Sequence, residues 1–158
     1  MNPATGAGQT AVAAPRIPVK DDFFTSPLEP LSGVRLKGTR CRACGEAFLG
    51  ACPACENCQS TDLEETILST SGTLYTYTVI RNRPPGDYLG PDPFVPYAVG
   101  LVELPEGLRL VTALTDCDVD RLEVGTRFDL VVEPLGLDAS GNEVIGYKFR
   151  PVSDGQGA

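Results

Sequence analysis

The sequence predicts a mainly β protein: a short metal-binding segment followed by a small five-stranded barrel. Three observations lead there. Five of the six cysteines fall within the eighteen residues from Cys41 to Cys58. From Ser69 onward the chain turns to alternating, β-branched and aromatic sequence, the period of two that strands require. At 158 residues the chain has room for a small module plus a domain of about 100 residues, the size at which one core becomes self-sufficient.

The first nineteen residues, MNPATGAGQTAVAAPRIPV, offer little to bury and are expected to be a loose N-terminus (1–19). They lack the basic start and continuous apolar stretch of a secretory signal, so a cytoplasmic location is expected. No run of 18 apolar residues occurs, which argues against a helical membrane span. Residues 20–40 mix apolar side chains with two prolines and two glycines, a composition that permits an arm or a short helix. The cysteine segment is assigned to 41–66, the barrel to 69–152 and a flexible tail to 153–158.

Five strands are expected in the barrel. Thr73 to Asn82 alternates Leu74, Thr76, Thr78 and Ile80 against Tyr75, Tyr77 and Val79. Tyr97 to Leu104 and Leu108 to Thr115 flank Pro105-Glu106-Gly107, a hairpin signal. Arg127 to Glu133 aligns Phe128, Leu130 and Val132, and Val144 to Arg150 aligns Ile145, Tyr147 and Phe149. Tyr75, Tyr77, Tyr147 and Phe149 are read as barrel packing. Between the third and fourth strands, Asp116 to Val124 could make a helical turn from an Asp cap. Five strands with an insertion there is the layout of an OB-type barrel. The connection from Arg83 to Pro96 carries five prolines, which lower the entropy lost on docking.

Cys41-Arg-Ala-Cys44 and Cys55-Glu-Asn-Cys58, ten residues apart, make paired CxxC turns. Each aims two thiolates at a common centre, and four thiolates meet the tetrahedral preference of zinc; iron is the alternative ion for such a shell. Gly45 suits the left-handed turn after the first pair. Gln59 holds the equivalent place in the second, at a cost of about 1–2 kcal/mol if left-handed. Cys52 forms a further CxxC with Cys55 and is the alternative ligand. Cys117 reads as a small buried apolar residue.

Residues 1–60 hold six basic and five acidic side chains, and 61–158 seven and sixteen. A second half at formally −9 is poorly suited to non-specific nucleic-acid binding, which works by neutralising phosphates. Histidine is absent, which removes the side chain best placed for acid and base work near neutrality and excludes Cys/His metal sites and Ser-His triads. No catalytic residue is assigned.

The stretches RCRACGEAF (40–48), CENCQSTDLEE (55–65), SGTLYTYTVIRNRPPG (71–86), VPYAVGLVELPEGLRLVTALTD (95–116), LEVGTRFDLVVE (122–133) and YKFRPV (147–152) resemble the small zinc-ribbon/OB-fold proteins, once catalogued as a family of unknown function, that accompany thiolase-like enzymes. The resemblance implies a rubredoxin-like ribbon joined to an OB barrel. It also implies a non-catalytic subunit in a hetero-oligomer with a thiolase-fold partner acting on CoA thioesters. Partners in the family include thiolases, aldolases of steroid side-chain breakdown and thiolases of anaerobic aromatic degradation, benzoylsuccinyl-CoA thiolase among them. In that setting Arg81 and Arg83 are the candidates to meet CoA phosphates, and Tyr88 and Phe94 to anchor the partner. A nucleic-acid-binding ribbon/OB module and a rubredoxin-like iron electron carrier are the competing readings.

Overall fold

All five period-two stretches become strands. The computed structural model describes residues 12–153, which form nine strands and one 3-10 turn at Leu31–Gly33. In chain order the strands are β1 (Arg16–Pro18), β2 (Lys37–Cys41), β3 (Ala47–Leu49), β4 (Leu63–Ile67), β5 (Ser71–Ile80), β6 (Tyr97–Glu103), β7 (Arg109–Leu114), β8 (Arg127–Leu137) and β9 (Glu143–Pro151). The last five close a barrel in the order β5-β6-β7-β9-β8, with β8 returning to β5. All its pairings are antiparallel except β7 with β9, which meet in parallel at Leu114 and Phe149. This is the connectivity of an OB barrel, a partly open one in which β7 covers β9 only at Phe149 and leaves the start of β9 with a free edge.

Alternation sets the inner face. Ala98 and Val102 of β6, Leu110 and Leu114 of β7, Phe128 of β8 and Ile145 and Phe149 of β9 are all buried. The hairpin at Pro105–Gly107 forms as expected, with Gly107 at φ +86° and its amide on the Leu104 carbonyl. On β5 the expected face is corrected. The pairing with β6 slips between Leu74 and Thr76, a bulge that inserts Tyr75 and reverses the phase of the strand. Leu74 is buried, but Tyr77 then turns inward and Thr76 and Thr78 outward. Tyr75 is therefore not barrel packing: its ring is half exposed, with the Arg109 guanidinium 3.7 Å from its centroid.

The terminal segments also differ from expectation. Within 1–19, Arg16–Pro18 is a strand parallel to β9, and Arg16 is paired with Glu143 at 2.7 Å; the open edge of β9 supplies the hydrogen bonds that the segment's composition does not advertise. Residues 1–11, and 154–158 of the expected tail, lie outside the described residues. The only helical element in residues 20–40 is the 3-10 turn; Phe24 and Leu36 form an antiparallel bridge, and the last four residues already belong to β2 of the ribbon, which runs from 37 to 67. Asp116 to Val124 contains turns and no helix: the Asp118 carboxylate accepts the Asp120 amide, and Arg121 donates to the Asp118 carbonyl. Local side-chain acceptance of this kind competes with helix.

Arm and barrel share one core. Phe24, Val34 and Leu36 of the arm and Leu68 of the linker cluster with the barrel's buried residues, and the Phe23 and Phe24 rings lie 6.5 and 6.4 Å from that of Tyr147. Where β4 passes into β5, the Glu106 carboxylate takes both the amide and the hydroxyl of Ser69, at 2.7 and 2.8 Å. The barrel's own hairpin thus grips the linker that carries the ribbon.

Candidate metal centre

The ribbon sheet has the order β3-β2-β4. The β2–β3 turn carries Cys41 and Cys44, and the loop before β4 carries Cys55 and Cys58. Gly38 permits this packing, since a Cβ there would stand 2.5 Å from the Phe48 carbonyl oxygen and 2.8 Å from Leu68.

The two knuckles repeat one hydrogen-bond scheme. The Cys41 amide donates to the Glu46 carbonyl and Gly45 donates back to Cys41; the Cys55 amide donates to Ser60 and Gln59 donates back to Cys55, all at 2.8–2.9 Å. Such a turn needs a left-handed residue at its fourth step. Gly45 stands at φ +80° and Gln59 at +63°, so the second knuckle carries the strain that its sequence implies. Arg42 ties the knuckles to the sheet: its amide donates to the Asp62 carbonyl and its guanidinium meets Asp62 and Glu64 at 3.4 and 3.1 Å.

The sulfurs of Cys41, Cys44, Cys55 and Cys58 lie within 4.8 Å of one another. Cys41 to Cys58 and Cys44 to Cys55 are each 3.6 Å. A tetrahedral zinc bound at about 2.3 Å sets sulfurs about 3.8 Å apart, whereas a disulfide needs about 2.05 Å. The donor set fits a metal ion. Cys41 and Cys55 are buried, and Cys44 and Cys58 open to solvent. Cys52 stands outside the cluster.

Electrostatics within the cluster are uneven. Cys44 is drawn down to about 6, chiefly by the Glu46 backbone amide and then by Asn57. Cys58 receives the Ser60 amide, which lowers it, yet burial and the neighbouring Cys41, Cys44 and Cys55 thiols carry it up to about 12. The knuckles favour a first thiolate and penalise the last, and a bound cation would let four coexist. With all four positions taken by protein, such a centre braces structure and leaves no site for substrate.

The remaining candidates lie on the barrel. Arg81, at the end of β5, is exposed and bound to Asp120 at 2.7 Å. Arg83 lies 5.7 Å from the Tyr88 ring. Tyr88 and Phe94 do come together, 5.6 Å apart, and both pack on Tyr97 at 6.1 and 6.2 Å. Tyr97 was assigned only to a strand; its place directly after the proline loop is the signal that could have joined it to the cluster. Leu89 and Val95 project from the same loop, both more than half exposed. Cys117 is partly buried against the core, and burial pushes its thiol up.

Comparison with known proteins places this geometry. The profile of the ChsH2 C-terminal OB-fold domain matches residues 65–133. A DUF35 domain-containing scaffold protein of Methanocaldococcus jannaschii is 31% identical over 121 residues, covering 75% of this chain and 83% of that one. The chain belongs to the DUF35 family. Among other relatives, the benzoylsuccinyl-CoA thiolase subunit BbsA of Geobacter metallireducens is 30% identical over 119 residues, 75% of each chain. A solved structure, the Ltp2-ChsH2(DUF35) aldolase, is similar at 34% identity with a TM-score of 0.55, covering 74% of this chain and 84% of that one. The DUF35 resemblance thus spans ribbon and barrel together.

Proposed function

We propose that the chain is a non-catalytic accessory subunit of a thiolase-like or aldolase complex acting on CoA thioesters. The observation that carries this reading is a closed four-thiolate shell set beside a packed barrel in a chain with no histidine. Acyl transfer needs an activated nucleophile with a base beside it, and this chain has no histidine to serve as one. The relatives described as a scaffold protein, a thiolase subunit and an aldolase complex support the same role. Zinc is the ion proposed at Cys41, Cys44, Cys55 and Cys58, with folding energy as its contribution. The partner is a larger thiolase-fold chain in a hetero-oligomer, anchored in part by the Tyr88–Phe94–Tyr97 cluster, since aromatics dominate interface energetics. An aromatic acyl-CoA is the substrate class favoured by the benzoylsuccinyl-CoA relative. A cytoplasmic location suits six free cysteines.

A tagged copy recovered from its native host is expected to bring down a stoichiometric larger chain and one zinc per subunit. Recovery of the subunit alone at full yield would remove the reading. Red, iron-containing protein would instead favour an electron carrier, and tight salt-sensitive binding to single strands a nucleic-acid module.

A further inference from the structure

Six basic side chains, Arg16, Lys37, Arg42, Arg81, Arg109 and Lys148, each meet a carboxylate, as expected in a chain with 21 acidic and 13 basic side chains. Of the arginines that do not, among the described residues, Arg35, Arg127 and Arg150 converge around Ser71. Arg35 and Arg150 line a groove of about 450 Å³ between the 3-10 turn and β8, floored by Thr70, Ser71 and Asp129. Arg127 lines the adjoining recess, which shares Ser71, and donates to the Ser71 hydroxyl at 3.2 Å.

The groove is built. The Arg35 amide donates to Thr25 Oγ1, and its Nη1 is braced by the carbonyls of Ser32 and Val34 at 2.9 and 3.0 Å. Carbonyls fix the guanidinium in direction and leave its charge unmatched. Arg150 lines the same groove from β9, in register with Asp129 of β8, with no ion pair among the described residues. Two carboxylates face this region. Asp129 accepts the Ser71 hydroxyl, and Glu103, in the adjoining recess, is already paired with Arg109. Leu31, Leu130 and Val132 supply an apolar wall. A volume of this size falls within the range of small-molecule sites, about 300–1,000 Å³.

We infer that this groove binds a phosphate group, with Arg35 and Arg150 as its cationic donors. A carboxylate is satisfied by one arginine fork, whereas a phosphate presents oxygens in several directions and accepts from separate donors. The Asp129 carboxylate can accept a hydroxyl or amine of the molecule that carries it, and the apolar wall can take a ring. A nucleotide-like organic phosphate has all three parts. Choosing coenzyme A as its source rests on the function proposed above; the phosphate chemistry does not. Arg81, which the sequence offered for that role, is already neutralised by Asp120.

The test is titration of the metal-loaded full chain with adenosine 3′,5′-bisphosphate, coenzyme A and inorganic phosphate, followed by calorimetry and by amide shifts. The expected result is saturable binding that moves the Ser32, Thr70 and Ser71 amides. Arg150→Gln and Arg35→Gln should each weaken it about tenfold, the size of one charge-assisted hydrogen bond, with Arg121→Gln as the unaffected control for general charge. Arg150 is exposed, so its replacement tests the groove even if Arg35→Gln loosens the turn. Coenzyme A binding more tightly than inorganic phosphate would support it as the source; equal binding would leave a simple phosphate site and remove that source. Absence of binding at millimolar ligand, or equal binding by wild type and Arg150→Gln, overturns the inference. Because partner recovery is measured separately, a subunit that still brings down its partner but binds no phosphate sinks the groove alone.

Discussion

The ribbon and the barrel are held together by different physics. Within the ribbon strands and knuckles the buried side chains are Thr39, Cys41, Ala47 and Cys55, too little apolar surface to offset the entropy of ordering about thirty residues. What remains to order it is the repeated knuckle hydrogen bonds and an ion held by the four cysteines, which the site fits. The barrel buries Leu74, Val102, Leu110, Leu114, Phe128 and Phe149 and closes its sheet on itself, so burial alone can sustain it. The two are coupled through the arm and the Glu106 grip on Ser69. With an ion in the cysteine site, the ribbon would be a metal-dependent lever mounted on a self-sufficient body, an arrangement suited to presenting a surface in a fixed direction.

The strongest way to break this contrast is to remove the ion. Cys44→Ser should release the metal and unfold the ribbon, since structural zinc is worth about 10–16 kcal/mol in small modules, while the barrel keeps its β-sheet signal. Metal analysis and circular dichroism check it together. Cys52→Ser and Cys117→Ser should leave metal stoichiometry unchanged. If the whole chain unfolded with the metal, the barrel would not be independent. In the opposite direction, Phe128→Ala should cost about 3–5 kcal/mol in denaturant unfolding of the barrel, with metal stoichiometry of the folded fraction preserved.

A finer test addresses the two knuckles. Gln59→Gly should stabilise the metal-bound ribbon by about 1 kcal/mol by relieving the left-handed strain, seen as slower metal loss to a chelator. The same change at Gly45 in reverse, Gly45→Gln, should hasten it.

The smallest effect expected is in the β8–β9 turn. Asp138 accepts from the Asn142 side chain and amide and from the Ser140 amide, and these hold its carboxyl below the ordinary carboxylate range, Asn142 chiefly. A depressed folded-state value means stabilisation present above the unfolded value of about 3.9 and lost as pH falls through the folded one. The difference in thermal midpoint between wild type and Asp138→Ala should therefore be constant near neutrality and shrink below about pH 4. Metal content should not change across the same pair at pH 7.

Legibility in the sequence divided along a physical line. The cysteine pairs, the left-handed demand at Gln59, the five strands and the hairpin at Pro105–Gly107 were readable because each depends on residues within a few positions of one another: ligand spacing, a period of two, a turn residue. The bulge at Tyr75 was not, because it is defined by register against β6. Strand β1 exists only because β9 has a free edge, and the pairing of Arg81 with Asp120 joins residues 39 apart. Arg35 and Arg150 lie at opposite ends of the chain and become neighbours only when the 3-10 turn packs against β8. By itself the sequence determined the two CxxC pairs and the five barrel strands, which local chemistry sets. Which side chains face inward at the bulge, which cations remain unmatched and how the ribbon is fastened to the barrel were decided by tertiary structure, because those outcomes depend on partners that only closure of the barrel brings within reach.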